Sequence, residues 1–247
     1  MTRQQWIDKC GHWKAKWPVM QPEYAANNDD YSLNLYAVLD AVNKHSTADM
    51  TLMGDAGSIS YAGPVALNAK PGQRFVFSPA QADMGWGLPA SIGVALASNR
   101  TVISIVGDGS FMTNMQELAV IKQHELPVKI IILNNSGYLS IKNTQNKYFE
   151  GRVYGTSTET GIWFPSFKNV ADTFGMKYND ARLATDLDKF GTWFAEPGPM
   201  IINCLCKAEQ EILPSQALKN GQQAGLHDMA PFLSDEELAA EMIVNKI

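Results

Sequence analysis

The fold of this chain is decided by the stretch Val102-Ile103-Ser104-Ile105-Val106-Gly107-Asp108-Gly109-Ser110. A second apolar run, Val128–Leu133, leads in the same way into Asn134-Asn135-Ser136-Gly137. The residues between the two motifs, 111–124, have the pattern of a helix. Strand, turn, helix and strand in this order predict a parallel α/β sheet, in which successive strands end at one edge.

Asp108 and Asn135 follow these two strands, so we expect their side chains to meet at that edge, where such sheets bind ligands. Both offer hard oxygen atoms, which Mg²⁺ prefers together with phosphate oxygens and water. The chain has 20 Lys+Arg against 25 Asp+Glu and no basic cluster near the turn, so a cation must balance a bound anion. The pattern predicts a divalent metal that holds a diphosphate, with the backbone carbonyl of Gly137 as a third ligand.

The turn itself suits a phosphate. Gly107 and Gly109 allow the backbone to approach closely, and Ser110 opens a helix whose first amide groups are free. The alternative to a phosphate-binding turn is an ordinary turn with a helix cap. The matching Asn-Asn motif after the second strand argues against that alternative. No Gly-x-Gly-x-x-Gly begins at Gly107 and no Gly-Lys-Ser/Thr occurs, so dinucleotide and P-loop sites are not indicated.

The two motifs together resemble the thiamine diphosphate signature, which opens with Gly-Asp-Gly and closes with Asn-Asn. The segment Ala82-Asp83-Met84-Gly85-Trp86-Gly87-Leu88-Pro89-Ala90 resembles a second element of the same family. The chain is most similar to the C-terminal diphosphate-binding domain of the acetolactate synthase-like branch, over nearly its whole length. The resemblance implies an α/β fold with a parallel sheet of about six strands flanked by helices.

The resemblance also implies a cofactor site. Met84 would wedge between the two rings of thiamine diphosphate and hold it bent; the alternative is a core methionine. The carbonyl of Ala82, which stands where many relatives have glycine, would serve the aminopyrimidine. The metal ligands would be Asp108, Asn135 and the main chain near Gly137. The cofactor-binding residues would be Gly57, Ser58, Ala82, Met84, Gly107, Asp108, Gly109, Ser110, Asn135 and Gly137.

The resemblance implies an enzyme that is incomplete without a partner. In this family a glutamate from a separate pyrimidine-binding domain activates the cofactor, and 247 residues leave room for one large α/β domain. We therefore expect another polypeptide, or another part of the same protein, to complete the site. A homo-oligomer is expected by resemblance.

The expected reaction is decarboxylation of a 2-oxo acid with carboligation. Two alternatives stay open: a simple 2-oxo acid decarboxylase subunit, and a non-catalytic assembly subunit that binds the cofactor. Ser58-Ile59 stand where acetolactate synthases usually have Gln-His, and Gly137–Ile141 also departs from their pattern where residues would face the substrate.

Composition predicts a cytoplasmic globular protein. Apolar residues make up 45% and charged residues 18% of the chain. The start of the chain lacks a signal-peptide pattern, and no apolar run reaches the roughly 18 residues of a membrane span. An acidic balance gives no support for nucleic-acid binding. Cys204 and Cys206 are expected to be buried as small apolar side chains rather than to bind metal.

Three regions are predicted: a connector at 1–30, the cofactor-binding α/β domain at 31–206, and a tail at 207–247 that packs on the domain or a partner. A helix from Ser32 to Lys44 is expected after a cap at Asp30. The predicted strands are 50–54, 74–77, 102–106, 128–133, 178–184 and 200–206, and further helices are predicted at 86–98, 111–124, 166–175, 186–195 and 234–243.

Overall fold

The computed structural model describes residues 1–25 and 32–243, and a six-stranded sheet forms its centre. The strands are β1 (Thr51–Gly54), β2 (Arg74–Val76), β3 (Val102–Gly107), β4 (Val128–Asn134), β5 (Lys177–Ala181) and β6 (Met200–Leu205). Their order is β2-β1-β3-β4-β6-β5, and all neighbours pair in parallel. The predicted fold class is therefore confirmed.

Helices cover both faces of this sheet. The α-helices of the described residues are α1 (Arg3–Lys16), α2 (Leu35–His45), α3 (Ser58–Ala66), α4 (Gly87–Ser98), α5 (Asp108–Thr113), α6 (Leu118–Gln123), α7 (Leu139–Tyr148), α8 (Phe167–Thr173), α9 (Ala184–Leu187), α10 (Phe190–Ala195) and α11 (Asp235–Glu241). Helices α2, α3, α9 and α10 share one apolar core, and α4, α5, α6 and α8 share the other.

The central strands are buried on both sides, which explains their continuous apolar sequences. In β3, Ile103 and Ile105 point into the first core, whereas Val102 and Val106 point into the second. The register of β3 and β4 pairs Val102 with Val128 and Gly107 with Leu133. Because the strands run in parallel and in step, the turns that follow them leave the sheet side by side.

The predicted continuous helix at 111–124 is wrong. Helix α5 starts at Asp108, and a 3₁₀ turn at Met115–Glu117 separates it from α6. The break follows from a tertiary contact, because the Asn114 side chain donates from Nδ2 to the carbonyl of Gly85 at 2.9 Å. Asn114 has φ −132° and ψ 35°, which are not helical angles.

The predicted strand at 178–184 ends instead at Ala181. The carboxylate of Asp186 accepts hydrogen bonds from the amides of Arg182 and Leu183, both at 3.0 Å, and so starts a helix there. The predicted helix at 186–195 is in fact two helices, α9 and α10. Helix α3 and the small hairpin of β7 (Leu218–Lys219) and β8 (Gln222–Gln223) were not predicted.

The first helix of the domain begins later than predicted, at Leu35 rather than Ser32. Its cap is Asn34, whose Oδ1 accepts from the amide of Tyr36 at 2.9 Å. Asp30, the predicted cap, lies outside the described residues.

Helices α1 and α11 meet through two carboxylates, those of Glu237 and Glu241. Glu241 of α11 accepts hydrogen bonds from Lys9 at 2.5 Å and from Trp13 at 2.9 Å, both on α1. The predicted connector thus contains a helix that contacts the predicted tail. None of the described helices combines the length and the apolar character that a membrane crossing needs.

Candidate functional site

A pocket opens at the edge of the sheet where β1, β3 and β4 end. These three strands are adjacent and parallel, so the turns after them converge. Nine of the ten residues that the sequence assigns to the cofactor line this pocket, and Ala82 does not. The nine are Gly57, Ser58, Met84, Gly107, Asp108, Gly109, Ser110, Asn135 and Gly137.

Asp108 joins the two sequence motifs. It follows β3 directly, and only 1% of its surface is exposed. Its Oδ1 accepts from the amide of Gly109 at 2.7 Å, and its Oδ2 accepts from the amides of Asn135 and Gly137, both at 3.1 Å. A single buried carboxylate therefore fixes the turn after β3 relative to the turn after β4.

The proton affinity of Asp108 reflects its burial. Burial raises its pKa to about 6, although the hydrogen bonds from backbone amides oppose that change. A buried carboxylate without a cation beside it is costly to ionise. A bound divalent cation would supply the missing positive charge.

The Asn135 loop, residues 135–137, is held on two sides. The amide of Tyr138 donates to the carbonyl of Thr156 at 2.9 Å, next to the bonds that Asp108 makes. A Cβ on Gly137 would lie 2.5 Å from that carbonyl oxygen, so glycine is required here. In the described part of the chain, Oδ1 of Asn135 is buried without a hydrogen-bond partner. Such an oxygen is unfavourable unless a ligand binds it.

The segment that contains Met84 is fixed by Asp55. This buried carboxylate accepts from the amides of Ala56 at 2.6 Å, Gly85 at 3.1 Å and Gly87 at 2.7 Å. It thereby ties the turn after β1 to residues 85–87. Asp55 was not assigned a role from the sequence, because its partners lie about 30 positions away.

Met84 lies at the mouth of the pocket with 39% of its surface exposed. This exposure is unlike that of a core methionine and leaves the side chain available to a ligand. Ala82 lies outside the pocket lining and has φ 52°, a left-handed conformation that costs an alanine roughly 1 kcal/mol. Glycine adopts the same conformation without that cost.

Ser140 is a further pocket residue that the sequence did not single out. It lies in the first turn of α7, and its Oγ is buried without a partner among the described residues. For Ser140 the sequence indicated only that residues within Gly137–Ile141 would face the substrate. Two orphaned oxygens, those of Asn135 and Ser140, thus belong to the lining of one pocket.

The chemistry of the lining suits an anion held through a metal ion. Asp108 is the one carboxylate of the described lining, beside the amide of Asn135 and the hydroxyls of Ser58, Ser110 and Ser140. The described residues contain no group of three His, Cys, Asp or Glu side chains placed to bind a metal. A metal here would need neutral oxygens and ligand oxygens besides Asp108, as Mg²⁺ commonly does.

Cys204 lies on β6 and Cys206 directly follows it, and neither side chain lines the pocket. Both are buried and free, and burial raises the pKa of each thiol. Both side chains belong to the same apolar core, as expected from their spacing of two on a strand. The prediction that they are buried as small apolar side chains is confirmed.

Comparison with known proteins agrees with the fold and the pocket. Residues 55–204 match the family described as thiamine pyrophosphate enzyme, C-terminal TPP binding domain. The chain is 28% identical over 227 residues to the acetolactate synthase large subunit of Cyanidium caldarium. The aligned residues cover 90% of this chain and 37% of that protein. It is 27% identical over 229 residues to the large subunit of Lactococcus lactis subsp. lactis (strain IL1403), covering 90% of this chain and 38% of that protein.

A third relative is the acetolactate synthase of Arthrospira platensis, with 32% identity over 176 residues, 70% of this chain and 30% of that protein. The matches thus span 30–38% of the length of these relatives. The family match includes Asp55, Met84, Asp108 and Asn135, which shape the pocket. The chain therefore belongs to the thiamine pyrophosphate enzymes and corresponds to their C-terminal TPP-binding domain.

Proposed function

We propose that this chain binds thiamine diphosphate through Mg²⁺ and acts on a 2-oxo acid, which it decarboxylates and joins to a second carbonyl compound. The observation that supports this most strongly is the meeting of Asp108 and the Asn135 loop at one sheet edge, with Oδ1 of Asn135 buried and unpaired. The relatives named above are acetolactate synthases, which supports carboligation as the reaction class.

Mg²⁺ would be held by the carboxylate of Asp108, Oδ1 of Asn135 and the carbonyl of Gly137, with diphosphate oxygens in the remaining positions. This ligand set combines one carboxylate with neutral oxygens, which is typical of Mg²⁺ bound with a phosphate. The backbone at Gly107 and Gly109 and the hydroxyl of Ser110 line the pocket where the diphosphate would lie. Gly57 and Ser58 approach from the turn after β1.

Met84 would support the bent cofactor between its two rings. Asp55 and Asn114 hold the flanking Gly85 from opposite sides, so the backbone below Met84 is fixed before any ligand binds. Thiamine diphosphate, when bound, would supply a carbon nucleophile for the 2-oxo carbonyl and an electron sink for the loss of CO₂. The role of this chain is to bind, bend and anchor the cofactor.

A partner would supply the activating carboxylate. Within the described pocket lining no glutamate is present, and Asp108 is assigned to the metal. The pyrimidine-binding domain of a second polypeptide, or of a longer form of this protein, would provide that group. We propose a cytoplasmic homo-oligomer in which the mouth of the pocket, with Met84 and Ile141 exposed, lies against that domain.

Cofactor binding should depend on pH through Asp108. A metal ligand must be deprotonated, and the pKa of Asp108 is about 6. The affinity for Mg²⁺ with thiamine diphosphate should be constant above pH 7 and fall about tenfold per pH unit below 6. Calorimetric titration between pH 5 and 8 measures this, with the affinity of Mg²⁺ for free cofactor in the same buffers as the control. An affinity that stays constant down to pH 5 would contradict the role of Asp108.

Low pH should weaken cofactor binding through Asp108 but stabilise the fold of the metal-free protein. The folded pKa of Asp108 lies above the unfolded value of about 3.9, so the metal-free protein gains stability from this group at low pH. That contribution, about 3 kcal/mol, is lost as the pH rises from about 4 to about 6. Mg²⁺ and cofactor should restore stability above pH 6, because they bind the ionised form.

The reaction class is tested with the assembled enzyme. The chain is combined with its pyrimidine-binding domain and incubated with Mg²⁺, thiamine diphosphate and pyruvate or other 2-oxo acids, and the products are identified by NMR. We expect CO₂ and a hydroxy-ketone carboligation product. Free aldehyde and CO₂ without a carboligation product would indicate a decarboxylase, and cofactor binding without turnover would indicate a non-catalytic assembly subunit.

A further inference from the structure

A row of polar side chains crosses the same edge of the sheet beside the pocket. It runs through Asp180 at the end of β5, Asn203 in β6 and Asn134 at the end of β4. Asn203 Nδ2 donates to Asp180 Oδ1, and Asn134 Nδ2 donates to Asn203 Oδ1, both at 3.0 Å. Asn134 Oδ1 accepts from the amide of Ser136 at 3.2 Å. The row therefore ends on the backbone of the Asn135 loop.

The orientation of each amide in this row is set by its neighbour. An ionised carboxylate only accepts hydrogen bonds, so Asn203 must turn its NH₂ group toward Asp180 and its oxygen toward Asn134. Asn134 must then present its NH₂ group to Asn203 and its oxygen to Ser136. The carboxylate of Asp180 thus determines, through Asn203, that Asn134 presents its oxygen rather than its NH₂ group to the amide of Ser136.

Asp180 is suited to remain ionised. Burial by itself would raise its pKa, but hydrogen bonds from Tyr178 and Asn203 and the nearby Arg182 lower it. Asn203 is 6% exposed, so water has little access to replace its two hydrogen bonds. The carboxylate is therefore a stable acceptor at the start of the row.

The far end of the row contacts a strained residue. Ser136 has φ 57°, in the left-handed region that costs a residue other than glycine roughly 1–2 kcal/mol. The hydrogen bond from its amide to Asn134 helps to hold that conformation. Ser136 lies between Asn135 and Gly137, so its backbone angles decide where their oxygens point.

We propose that Asp180, Asn203 and Asn134 form a positioning relay that sets the Asn135 loop for metal coordination. The proposal rests on the Mg²⁺ site of the proposed function. Asp180 and Asn203 lie outside the pocket lining and act through Asn134 and Ser136, so they are positioning residues rather than metal ligands.

The discriminating variant is Asn203→Leu, which keeps the branching and the number of side-chain heavy atoms of asparagine and removes both central hydrogen bonds. The matched control is Tyr178→Phe. It removes the bond from Tyr178 Oη to Asp180 Oδ1, at 2.6 Å, and leaves in place the two bonds that connect Asp180, Asn203 and Asn134. Each variant deletes hydrogen bonds near the same sheet edge, but only Asn203→Leu disconnects the loop.

The first readout is the backbone order parameter of Ser136, measured by ¹⁵N relaxation on the full chain without ligand. We expect a rigid value near 0.85 in the wild type and in Tyr178→Phe, and a value below about 0.6 in Asn203→Leu. This readout does not depend on cofactor binding.

The second readout is the affinity for thiamine diphosphate with Mg²⁺ and, separately, with Ca²⁺. Mg²⁺ needs near-ideal octahedral ligands, whereas Ca²⁺ tolerates irregular ones. In Asn203→Leu the affinity with Mg²⁺ should fall about tenfold and the affinity with Ca²⁺ much less, whereas a general loss of stability would lower both equally. In Tyr178→Phe both should stay within about twofold of the wild type.

A wild-type order parameter at Ser136 together with a wild-type ratio of Mg²⁺ to Ca²⁺ affinity in Asn203→Leu would overturn the relay. A wild-type chain that binds the cofactor with neither ion would overturn the proposed metal site instead. In that case the order parameter still decides whether the relay fixes the loop.

Discussion

Asp108→Ala is expected to lower the affinity for thiamine diphosphate in the presence of Mg²⁺ by about a thousandfold. The substitution removes the one carboxylate of the described pocket lining and leaves the amides of Gly109, Asn135 and Gly137 without their acceptor. Loss of one partner from a buried charged contact costs about 3–5 kcal/mol, which corresponds to this change in affinity. Isothermal calorimetry on the assembled enzyme measures it.

The control for this variant is Asp188→Ala, which removes a carboxylate whose side chain is 70% exposed and which pairs with Lys44 at 3.4 Å. Its affinity should equal that of the wild type. Circular dichroism must show that Asp108→Ala remains folded. A folded Asp108→Ala protein with undiminished affinity would show that the metal ligand has been assigned wrongly.

Gly107→Ala is expected to lower cofactor affinity by roughly 5- to 150-fold and to leave folding intact. Gly107 has φ −76° and ψ 158°, which any residue adopts, and an added Cβ would meet no atom of the described residues within 4 Å. The new methyl group would occupy pocket space that the diphosphate needs, and overpacking of this kind costs about 1–3 kcal/mol. Thermal unfolding and calorimetry on one preparation separate the two effects.

Gly93→Ala is the matched control, because an added Cβ there also meets no described atom within 4 Å, but the residue lies at an exposed position of α4. Alanine is favoured over glycine in a helix by about 1 kcal/mol, so this variant should be more stable than the wild type with the same affinity. Equal affinities of Gly107→Ala and Gly93→Ala would place the diphosphate away from Gly107.

The sequence predicts the sheet well because strands buried on both faces have nearly continuous apolar sequences. Val102–Val106 and Val128–Leu133 show this directly, and the predicted strands fall within a few residues of the observed ones. Errors arose where a distant partner decides the local structure. The bond of Asn114 to Gly85, 29 positions earlier, breaks the predicted helix, and no local pattern indicates that contact.

The same distinction applies to the site. The position of Asp108 and Asn135 at one edge of the sheet was predictable because each directly follows an apolar strand. Asp55 was not, because its role depends on amides that only the folded chain brings near it. Asn203 lies 69 positions from Asn134, and only the strand order β4-β6-β5 makes the two side chains neighbours.

The central claim is that Asp108 and Asn135 hold one divalent cation that anchors the diphosphate. Anomalous diffraction from crystals grown with thiamine diphosphate and Mn²⁺ in place of Mg²⁺ tests it most directly. We expect one anomalous peak about 2.1 Å from an Asp108 carboxylate oxygen and from Oδ1 of Asn135, with diphosphate oxygens on its other side. A peak elsewhere, or a bound diphosphate with Oδ1 of Asn135 still unpaired, would contradict it.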